Sequence, residues 1–171
     1  LIQLAKIRGA KVITTVSNKD KAKITHDLGA DITILYNQED FFEVIMKKTK
    51  GIGVDVVYES VGKKTIEKSF RSLKNKGTCI LFGFSSGVVS SINPQVMADA
   101  GSIFVTRPNL ADYMEDADTV SKRAQDLFAY IKKGLLNVNI NKVYPLVRAA
   151  DAQKHLESGK SSGKVLLKTR N

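Results

Sequence analysis

Apolar and polar positions alternate in two kinds of block along the first part of the chain. Short apolar runs occur at residues 11–16, 32–36, 54–62 and 78–84, and each interval between successive runs carries a mixed pattern of helical length. Such runs, bounded by glycine and polar residues, are typical of strands that are buried on both faces of a parallel sheet. The alternation therefore predicts βαβ units and a doubly wound α/β fold.

The run at residues 54–62 is the one around which the others are organised. It is too short for a helix and ends in Ser60, Val61 and Gly62. We predict a strand that is buried on both faces and is followed by a turn of small residues. Ligands of open parallel sheets bind at the carboxyl ends of the strands, so this turn is a candidate ligand site.

The remaining patterns predict further helices and strands. Predicted helices lie at residues 1–8, 19–28, after Asp40, 64–76, around 117–131 and 149–158, and further strands lie at 102–106, 140–144 and 164–168. No capping residue precedes Leu1, although Gly9 is placed to end the first helix. A doubly wound fold has its first central strand and a glycine-rich, phosphate-binding turn before this helix. We expect both of them upstream of Leu1.

The tip of the second predicted strand carries Ser17 and Asn18, followed by Lys19 and Lys21. A dinucleotide fold that uses NAD normally has an acidic residue at this tip, which binds the ribose hydroxyls. A hydroxyl group and two ammonium groups at a helix N-terminus would instead suit the 2′-phosphate of NADP. An ordinary helix cap with exposed lysines explains the same residues equally well, and the nearby Asp20 weakens the phosphate interpretation.

Two other strand ends carry candidate ligand contacts. Tyr36 lies where an adenine ring could stack, although its position alone favours simple packing. The loop Gly83-Phe84-Ser85-Ser86-Gly87 would allow a flat ring to approach closely, although a plain loop is the default interpretation. It does not predict a hydrolase nucleophile elbow, because no helical pattern follows Gly87.

The composition favours one ordinary globular domain, with room for an appendage. The chain has 171 residues, of which 43% are hydrophobic. No apolar run approaches the roughly 18 to 20 residues that cross a bilayer, and we expect a cytoplasmic location. Cys79 lies in an apolar run and is expected to be a buried structural thiol. His26 and His155 lie far apart in polar helical patterns, so no metal site is expected.

The positive charge of the chain is spread over helix faces. The net charge is +10, from 27 Lys and Arg against 17 Asp and Glu. Five or more consecutive basic residues do not occur, and aromatic residues are not interleaved with the lysines, as in a nucleic-acid surface. We interpret most of the lysines as solvated surface, with one or two holding an anion.

Five blocks of sequence together carry a resemblance to a known family. The blocks are Gly9-Ala10-Lys11-Val12-Ile13, Leu28-Gly29-Ala30-Asp31, Val57-Tyr58-Glu59-Ser60-Val61-Gly62, Phe82-Gly83-Phe84-Ser85-Ser86-Gly87 and Val105-Thr106-Arg107-Pro108. The chain closely resembles the zeta-crystallin-like NADPH:quinone oxidoreductases of the medium-chain dehydrogenase/reductase superfamily. The resemblance extends from Leu1 to about Lys168.

The resemblance implies a fold and an assembly. Residues 1–110 would be an NADP-binding Rossmann domain without its first strand and glycine-rich turn. Residues 111–171 would return to the catalytic, GroES-like domain. The strand from Ser102 to Thr106 would be the last of the sheet and would pair with its two-fold mate, which makes the complete protein a homodimer.

The resemblance also implies an NADPH site and a quinone substrate. Ser17, Asn18 and Lys21 would hold the 2′-phosphate, with Lys21 as the principal cation. Tyr36 would lie against the adenosine, and Ser60 would line the cofactor cleft. The residues expected at the nicotinamide half are Phe82, Gly83, Phe84, Ser85, Pro108, Asn109 and Leu110. Hydride would pass from NADPH to a quinone without zinc, and no catalytic residue is identified, because the redox chemistry belongs to the cofactor.

The sequence departs from the family pattern at two further places. Gly159 stands where relatives often carry an arginine that contacts the cofactor, and Lys160 is the candidate to replace its charge. Phe84 stands where a polar residue is common. An alternative function is a non-catalytic nucleotide- or RNA-binding module. Salt-dependent RNA binding with which NADPH does not compete would favour this alternative over the reductase. These 171 residues alone are expected to have no reductase activity.

Overall fold

The computed structural model describes residues 1–159 and 161–169 and has an α/β architecture. The helices are α1 (Ile2–Ile7), α2 (Lys19–Asp27), α3 (Phe41–Lys48), α4 (Ile66–Arg71), α5 (Pro94–Asp99), α6 (Ala117–Lys132) and α7 (Ala149–Glu157). The strands are β1 (Ile13–Val16), β2 (Ile32–Leu35), β3 (Val54–Glu59), β4 (Leu73–Leu81), β5 (Phe104–Thr106), β6 (Ile140–Pro145) and β7 (Lys164–Lys168). Every strand pair is parallel, which confirms the predicted fold class.

The chain forms two compact units. One unit comprises Lys11–Ser121 and contains β1 to β5, and the other comprises Leu1–Ala10 with Lys122–Asn171 and contains β6 and β7. In the described residues, no helix is both long enough and apolar enough to cross a membrane. The domain boundary expected after residue 110 stays a prediction.

The strands of the Lys11–Ser121 unit form two sheets instead of one. β1 pairs with β2, and β3, β4 and β5 form a second sheet in that order. β1 and β3 therefore each have one edge that no described strand occupies. A central strand between them would join the two sheets, and its position upstream of Leu1 stays a prediction.

The core of this unit lies against one face of the three-stranded sheet. Helices α4 and α5 cover this face, and the thiol of Cys79 is completely buried within it. The buried apolar residues of the cluster are Ile66, Phe70, Leu73, Cys79, Leu81 and Ile103. Burial raises the pKa of the Cys79 thiol to about 12, with a smaller contribution from the nearby Glu59 carboxyl, so this cysteine stays protonated. It is the structural thiol that the sequence predicted.

The opposite face of the three-stranded sheet is open. Val56 is 42% exposed, Tyr58 54% and Phe104 61%. The prediction that the strand at residues 54–62 is buried on both faces is therefore wrong. Side chains alternate between the faces of a strand, and only the face that carries Val57 and Glu59 is packed. An apolar run in the sequence does not show whether helices cover one face of the strand or both.

The predicted helix at residues 64–76 is also wrong in its extent. α4 ends at Arg71, and Leu73 begins β4. Leu73 pairs with Val54, and the register then shifts before Val56 pairs with Thr78. Leu73 does pack beside α4, but it does so from the strand. The apolar residues at 66, 70 and 73 have helical spacing whether residue 73 ends the helix or begins the next strand. The sequence pattern therefore could not distinguish these two arrangements.

The segment after the Gly83–Gly87 loop contains a helix that the sequence analysis missed. The side chain of Asn93 caps α5 by accepting a hydrogen bond from the Gln95 amide at 2.9 Å, and Pro94 occupies the first turn. The strand predicted at residues 102–106 is shorter than expected, because Ser102 has a φ of 57°. Its place at the edge of the sheet is confirmed.

Helices α3 and α4 connect the two sheets of the Lys11–Ser121 unit. Lys68 Nζ lies 2.6 Å from Asp40 Oδ2, and the Arg71 guanidinium lies 4.4 Å from the centre of the Phe42 ring. The hydrogen bond from Lys68 holds the pKa of the Asp40 carboxyl below its ordinary value. The Lys68–Asp40 pair therefore stabilises the folded state at pH values above the ordinary pKa of aspartate. This stabilisation is lost as the pH falls and Asp40 becomes protonated.

The second unit confirms the elements predicted for the C-terminal part. β6 and β7 form a parallel pair that packs against α7. The buried Tyr144 hydroxyl lies 2.8 Å from His155 Nδ1. Gln3 and Asn137 exchange two hydrogen bonds, in which the side chain of Gln3 donates to the Asn137 carbonyl and accepts from the Asn137 amide. α1 is thereby attached to the segment that precedes β6.

Candidate functional site

The tip of β1 is an ordered, polar helix start. Asn18 is the cap of α2, and its side chain accepts a hydrogen bond from the Lys21 amide at 2.9 Å. Of the two caps that the sequence offered, Asn18 is therefore the one used. Lys21 lies in the first turn of α2 and is half-buried, and Ser17 lies between β1 and the cap. The tip thus combines a capped helix start with the ammonium group of Lys21 on its first turn.

The tip of β2 lies beside the tip of β1. The Tyr36 amide donates to the Val16 carbonyl at 3.2 Å, and the Tyr36 side chain is 48% exposed. The side-chain amide of Asn37 donates to the Ser17 carbonyl at 3.0 Å. Asn37 was missed by the sequence analysis, and its bond to a carbonyl twenty residues away could not be predicted from local turn chemistry. The predicted residues Ser17 and Tyr36 are therefore brought to one edge.

Glu59, at the end of β3, has a buried carboxylate that organises the following turn. Its Oε1 accepts hydrogen bonds from the amides of Val61 at 2.6 Å and Gly62 at 3.0 Å. Its Oε2 accepts a short hydrogen bond from the Ser69 hydroxyl, which lies on α4. A buried carboxylate is tolerated only when such donors compensate for its lost hydration. Glu59 was not among the predicted site residues.

The turn after β3 is joined to the loop after β4 along its whole length. The Ser60 carbonyl accepts from the Ser85 amide at 3.2 Å, and the Val61 carbonyl accepts from the Ser86 amide at 2.8 Å. The Ser86 hydroxyl also accepts from the Lys64 amide at 3.0 Å. We call these two segments, residues 60–64 and 82–87, the paired loops. They present Ser60 and Ser85, which are exposed, on one rigid backbone surface.

Two glycines make this pairing of the loops possible. A Cβ atom on Gly83 would lie 2.7 Å from the Ser60 carbonyl oxygen. A Cβ atom on Gly62 would lie 2.7 Å from the Gly87 carbonyl oxygen, and Gly62 also has a φ of +89°. Backbone atoms cannot give way as a flexible side chain can, so a larger residue at either position would separate the loops.

A partly open pocket of about 690 Å³ adjoins the paired loops. Its lining residues are Phe82, Arg107, Pro108, Asn109, Leu110 and Tyr113. The Asn109 side chain accepts from the Ala111 amide at 3.4 Å and caps the 3₁₀ helix Leu110–Tyr113. The Arg107 guanidinium lies 5.6 Å from the centre of the Phe84 ring. Four of the predicted residues, namely Phe82, Pro108, Asn109 and Leu110, thus share one pocket.

The structure separates the predicted site into two groups. Ser17, Asn18, Lys21 and Tyr36 lie at the carboxyl edge of the β1–β2 sheet, and the other predicted residues lie at the carboxyl edge of the β3–β5 sheet. Sequence reasoning missed Arg107 and Tyr113, which line the pocket. Arg107 lies in a quoted block, so a charged residue directly after a strand end was a usable signal.

Two further positions bear on the cofactor and metal expectations. Gly159 has a φ of +66° and follows α7, which explains a glycine there. Lys160, the candidate to replace the missing arginine charge, lies outside the described residues. Within residues 1–159 and 161–169, no three His, Cys, Asp or Glu side chains are grouped as metal ligands.

Comparison with known proteins identifies relatives over nearly the whole chain. The profile of the family described as zinc-binding dehydrogenase matches residues 1–124. Quinone oxidoreductase 1 of Escherichia coli is 38% identical over 167 residues, which are 96% of this chain and 51% of that protein. A 2-haloacrylate reductase of a Burkholderia species is 39% identical over 170 residues, which are 98% of this chain and 50% of that protein.

Solved structures agree with these relatives. The crystal structure of Escherichia coli quinone oxidoreductase complexed with NADPH has a TM-score of 0.92 and 37% identity, and the match covers 98% of this chain and 52% of that one. The quinone oxidoreductase of Pseudomonas syringae also has a TM-score of 0.92, with 37% identity and coverage of 98% and 52%. The resemblance inferred from the five sequence blocks is confirmed. The chain spans about half the length of the curated relatives it matches.

The Glu59 carboxylate should stabilise the fold through its charge. In Glu59→Gln, the side-chain oxygen can still accept from the Val61 and Gly62 amides, but the hydrogen bonds are no longer charge-assisted. We expect a loss of about 1 to 3 kcal/mol in the free energy of unfolding, measured by urea denaturation. The matched control is Glu67→Gln, which removes an exposed carboxylate from the first turn of α4. Equal stabilities of the two variants would contradict the assignment.

Proposed function

This chain belongs to the zinc-binding dehydrogenase family, and we propose that it is the cofactor-binding part of an NADPH-dependent quinone oxidoreductase. The observation that carries the proposal is the polar tip of β1, where Asn18 caps α2 beside Lys21. Because its relatives are about twice its length, we propose that a substrate lobe belongs to the same polypeptide. The cytoplasmic location expected from the sequence is part of this proposal.

The β1 tip would bind the 2′-phosphate of NADPH. The amide groups at the start of α2 carry partial positive charge, and the Lys21 side chain begins in the same turn. Ser17 adds a hydroxyl donor, and Asn37 fixes the backbone of Ser17 from β2. Tyr36, with half of its side chain exposed, would lie against the adenosine. These contacts favour NADPH over NADH.

The paired loops and the adjoining pocket would bind the nicotinamide half. Gly83 has no side chain to separate the two loops, so its backbone lies close to Ser60. This close contact would give the paired loops a flat surface for the ring. Contacts to the ring and its amide would come from Ser60, Phe82, Gly83, Phe84, Ser85, Pro108, Asn109 and Leu110. The reduced nicotinamide supplies hydride, and the protein residues orient the ring and keep water from one of its faces.

The acceptor is proposed to be a quinone. Relatives with 34–38% identity include quinone oxidoreductases of Escherichia coli, Pseudomonas aeruginosa and Salmonella typhimurium, although a 2-haloacrylate reductase has comparable identity. Both names describe reduction of an electron-poor, planar acceptor. A pocket with aromatic walls beside the paired loops supports such a substrate.

The cofactor preference can be tested at Lys21. In the complete protein, Lys21→Glu should reverse or abolish the preference for NADPH over NADH. Each charge-assisted hydrogen bond to a phosphate contributes roughly 1.5 to 3 kcal/mol, so the kcat/KM ratio should change by at least about tenfold. Lys23→Glu is the control, because residues two apart in a helix face different directions. An unchanged ratio in Lys21→Glu would refute the phosphate site.

The division of the activity between this chain and the rest of the protein can be tested directly. The complete protein should oxidise NADPH with 1,4-benzoquinone. These 171 residues alone should be inactive and only weakly stabilised by NADPH, because β1 and β3 each have an edge that no strand of residues 1–159 and 161–169 occupies. Turnover of benzoquinone by the 171 residues would mean that they contain the whole catalytic site.

We propose a homodimer that pairs through β5. This strand is at the sheet edge, and the exposed Phe104 leaves an apolar surface there. Phe104→Pro removes an amide donor from the strand and should yield monomer or aggregate by light scattering. Phe104→Tyr keeps the donor and the ring and should remain a dimer. A monomeric unmutated protein would contradict the proposal.

A further inference from the structure

We propose that Ser86 is a positioning residue for the nicotinamide half of the cofactor. Its hydroxyl would act by fixing the paired loops, and not by contacting the cofactor itself. The inference rests on the proposed function, because it concerns the surface to which that function assigns the nicotinamide. The resemblance gives a role to the neighbouring Ser85 but none to Ser86.

The Ser86 hydroxyl forms two hydrogen bonds across the paired loops. It donates to the Val61 carbonyl at 2.8 Å and accepts from the Lys64 amide at 3.0 Å. A hydroxyl group has one proton to donate, and here Val61 receives it. One side chain of the second loop therefore holds the first loop both near its beginning and at its end.

The backbone of Val61 is fixed on both sides of its Cα atom. On one side, the Val61 carbonyl accepts from the Ser86 amide and from the Ser86 hydroxyl, each at 2.8 Å. A carbonyl oxygen has two lone pairs, so these two donors use both of them. On the other side, the Val61 amide donates to the Glu59 carboxylate at 2.6 Å. The turn after β3 is thus held by a carboxylate from below and by Ser86 from the facing loop.

Ser86 acts one residue away from two of the proposed cofactor contacts. Val61 directly follows Ser60, and Ser86 directly follows Ser85. The Ser60 carbonyl also accepts from the Ser85 amide at 3.2 Å, so a shift of one loop would move both residues. A loop that already has its bound conformation need not be ordered when the ligand binds, and this raises affinity. The Ser86 hydroxyl would contribute to cofactor binding in this way.

Removing the hydroxyl should loosen the paired loops without separating them. In Ser86→Ala, the Ser86 amide can still donate to Val61, and the Lys63 amide can still donate to the Gly87 carbonyl, now at 3.2 Å. The Lys64 amide would lose its acceptor on the second loop. The variant should therefore fold, and the effect should be confined to the part of the site that the paired loops form.

The test compares two ligands of the complete protein by titration calorimetry. NADPH reaches both parts of the proposed site, whereas 2′,5′-ADP presents only the adenosine and phosphate groups assigned to the β1 and β2 tips. Ser86→Ala should weaken NADPH binding at least about fivefold, as expected for the loss of one net hydrogen bond. Its affinity for 2′,5′-ADP should be unchanged.

Two further variants serve as controls. Ser86→Thr keeps the hydroxyl and should restore the affinity for NADPH. Ser90→Ala removes an exposed hydroxyl that lies beyond the paired loops, and it should leave both affinities unchanged. A role in general stability would weaken the binding of both ligands, so the difference between the ligands identifies positioning.

The outcomes separate this inference from the proposed function. An unchanged affinity of Ser86→Ala for NADPH would overturn the inference and leave the NADPH site in place. Equal losses for both ligands, or a Ser86→Ala variant that does not fold, would also overturn it, because the hydroxyl would then serve the fold as a whole. A Ser86→Thr variant as weak as Ser86→Ala would show that the hydroxyl is not the responsible group. If the unmutated protein bound neither ligand, the proposed function would fail, and this inference would fail with it.

Discussion

The Glu59 carboxylate is the interaction on which the candidate site depends. It is buried at the end of β3 and accepts hydrogen bonds from Val61, Gly62 and Ser69. A charge in this position would be costly without those donors, so the turn after β3 has one favoured backbone path. The loop after β4 then bonds to that turn, and the pocket forms next to the loop.

The same carboxylate connects the site to the core. Ser69 belongs to α4, whose residue Phe70 is almost completely buried against the three-stranded sheet. A change in the packing of α4 would therefore move the Ser69 hydroxyl and, with it, the Glu59 carboxylate. Gly62 and Gly83 add a second requirement, because backbone atoms occupy the space of a side chain at both positions. The site is rigid for reasons of packing as well as hydrogen bonding.

Several surfaces of the Lys11–Ser121 unit have the character of interfaces. In the part of the chain that the structure describes, no strand occupies one edge of β1 and one edge of β3, and the open sheet face carries Val56, Tyr58 and Phe104. Unpaired strand edges and apolar faces of this kind normally contact further polypeptide. The chain spans about half the length of its curated relatives, and the additional length in those relatives is sufficient for such contacts.

The sequence by itself determined the type and order of the elements other than α5, and the strand ends at which Tyr36, Ser60 and Phe82 lie. These features depend on local periodicity and on the rule that parallel strands end at one edge. The tertiary structure alone decided that Leu73 belongs to a strand, that one sheet face is open, and that the Glu59 carboxylate organises the site. Ile66, Phe70 and Leu73 have the same spacing along the sequence whether Leu73 ends a helix or begins a strand. The environment of a charged side chain depends on partners distant in sequence, and only folding brings these together.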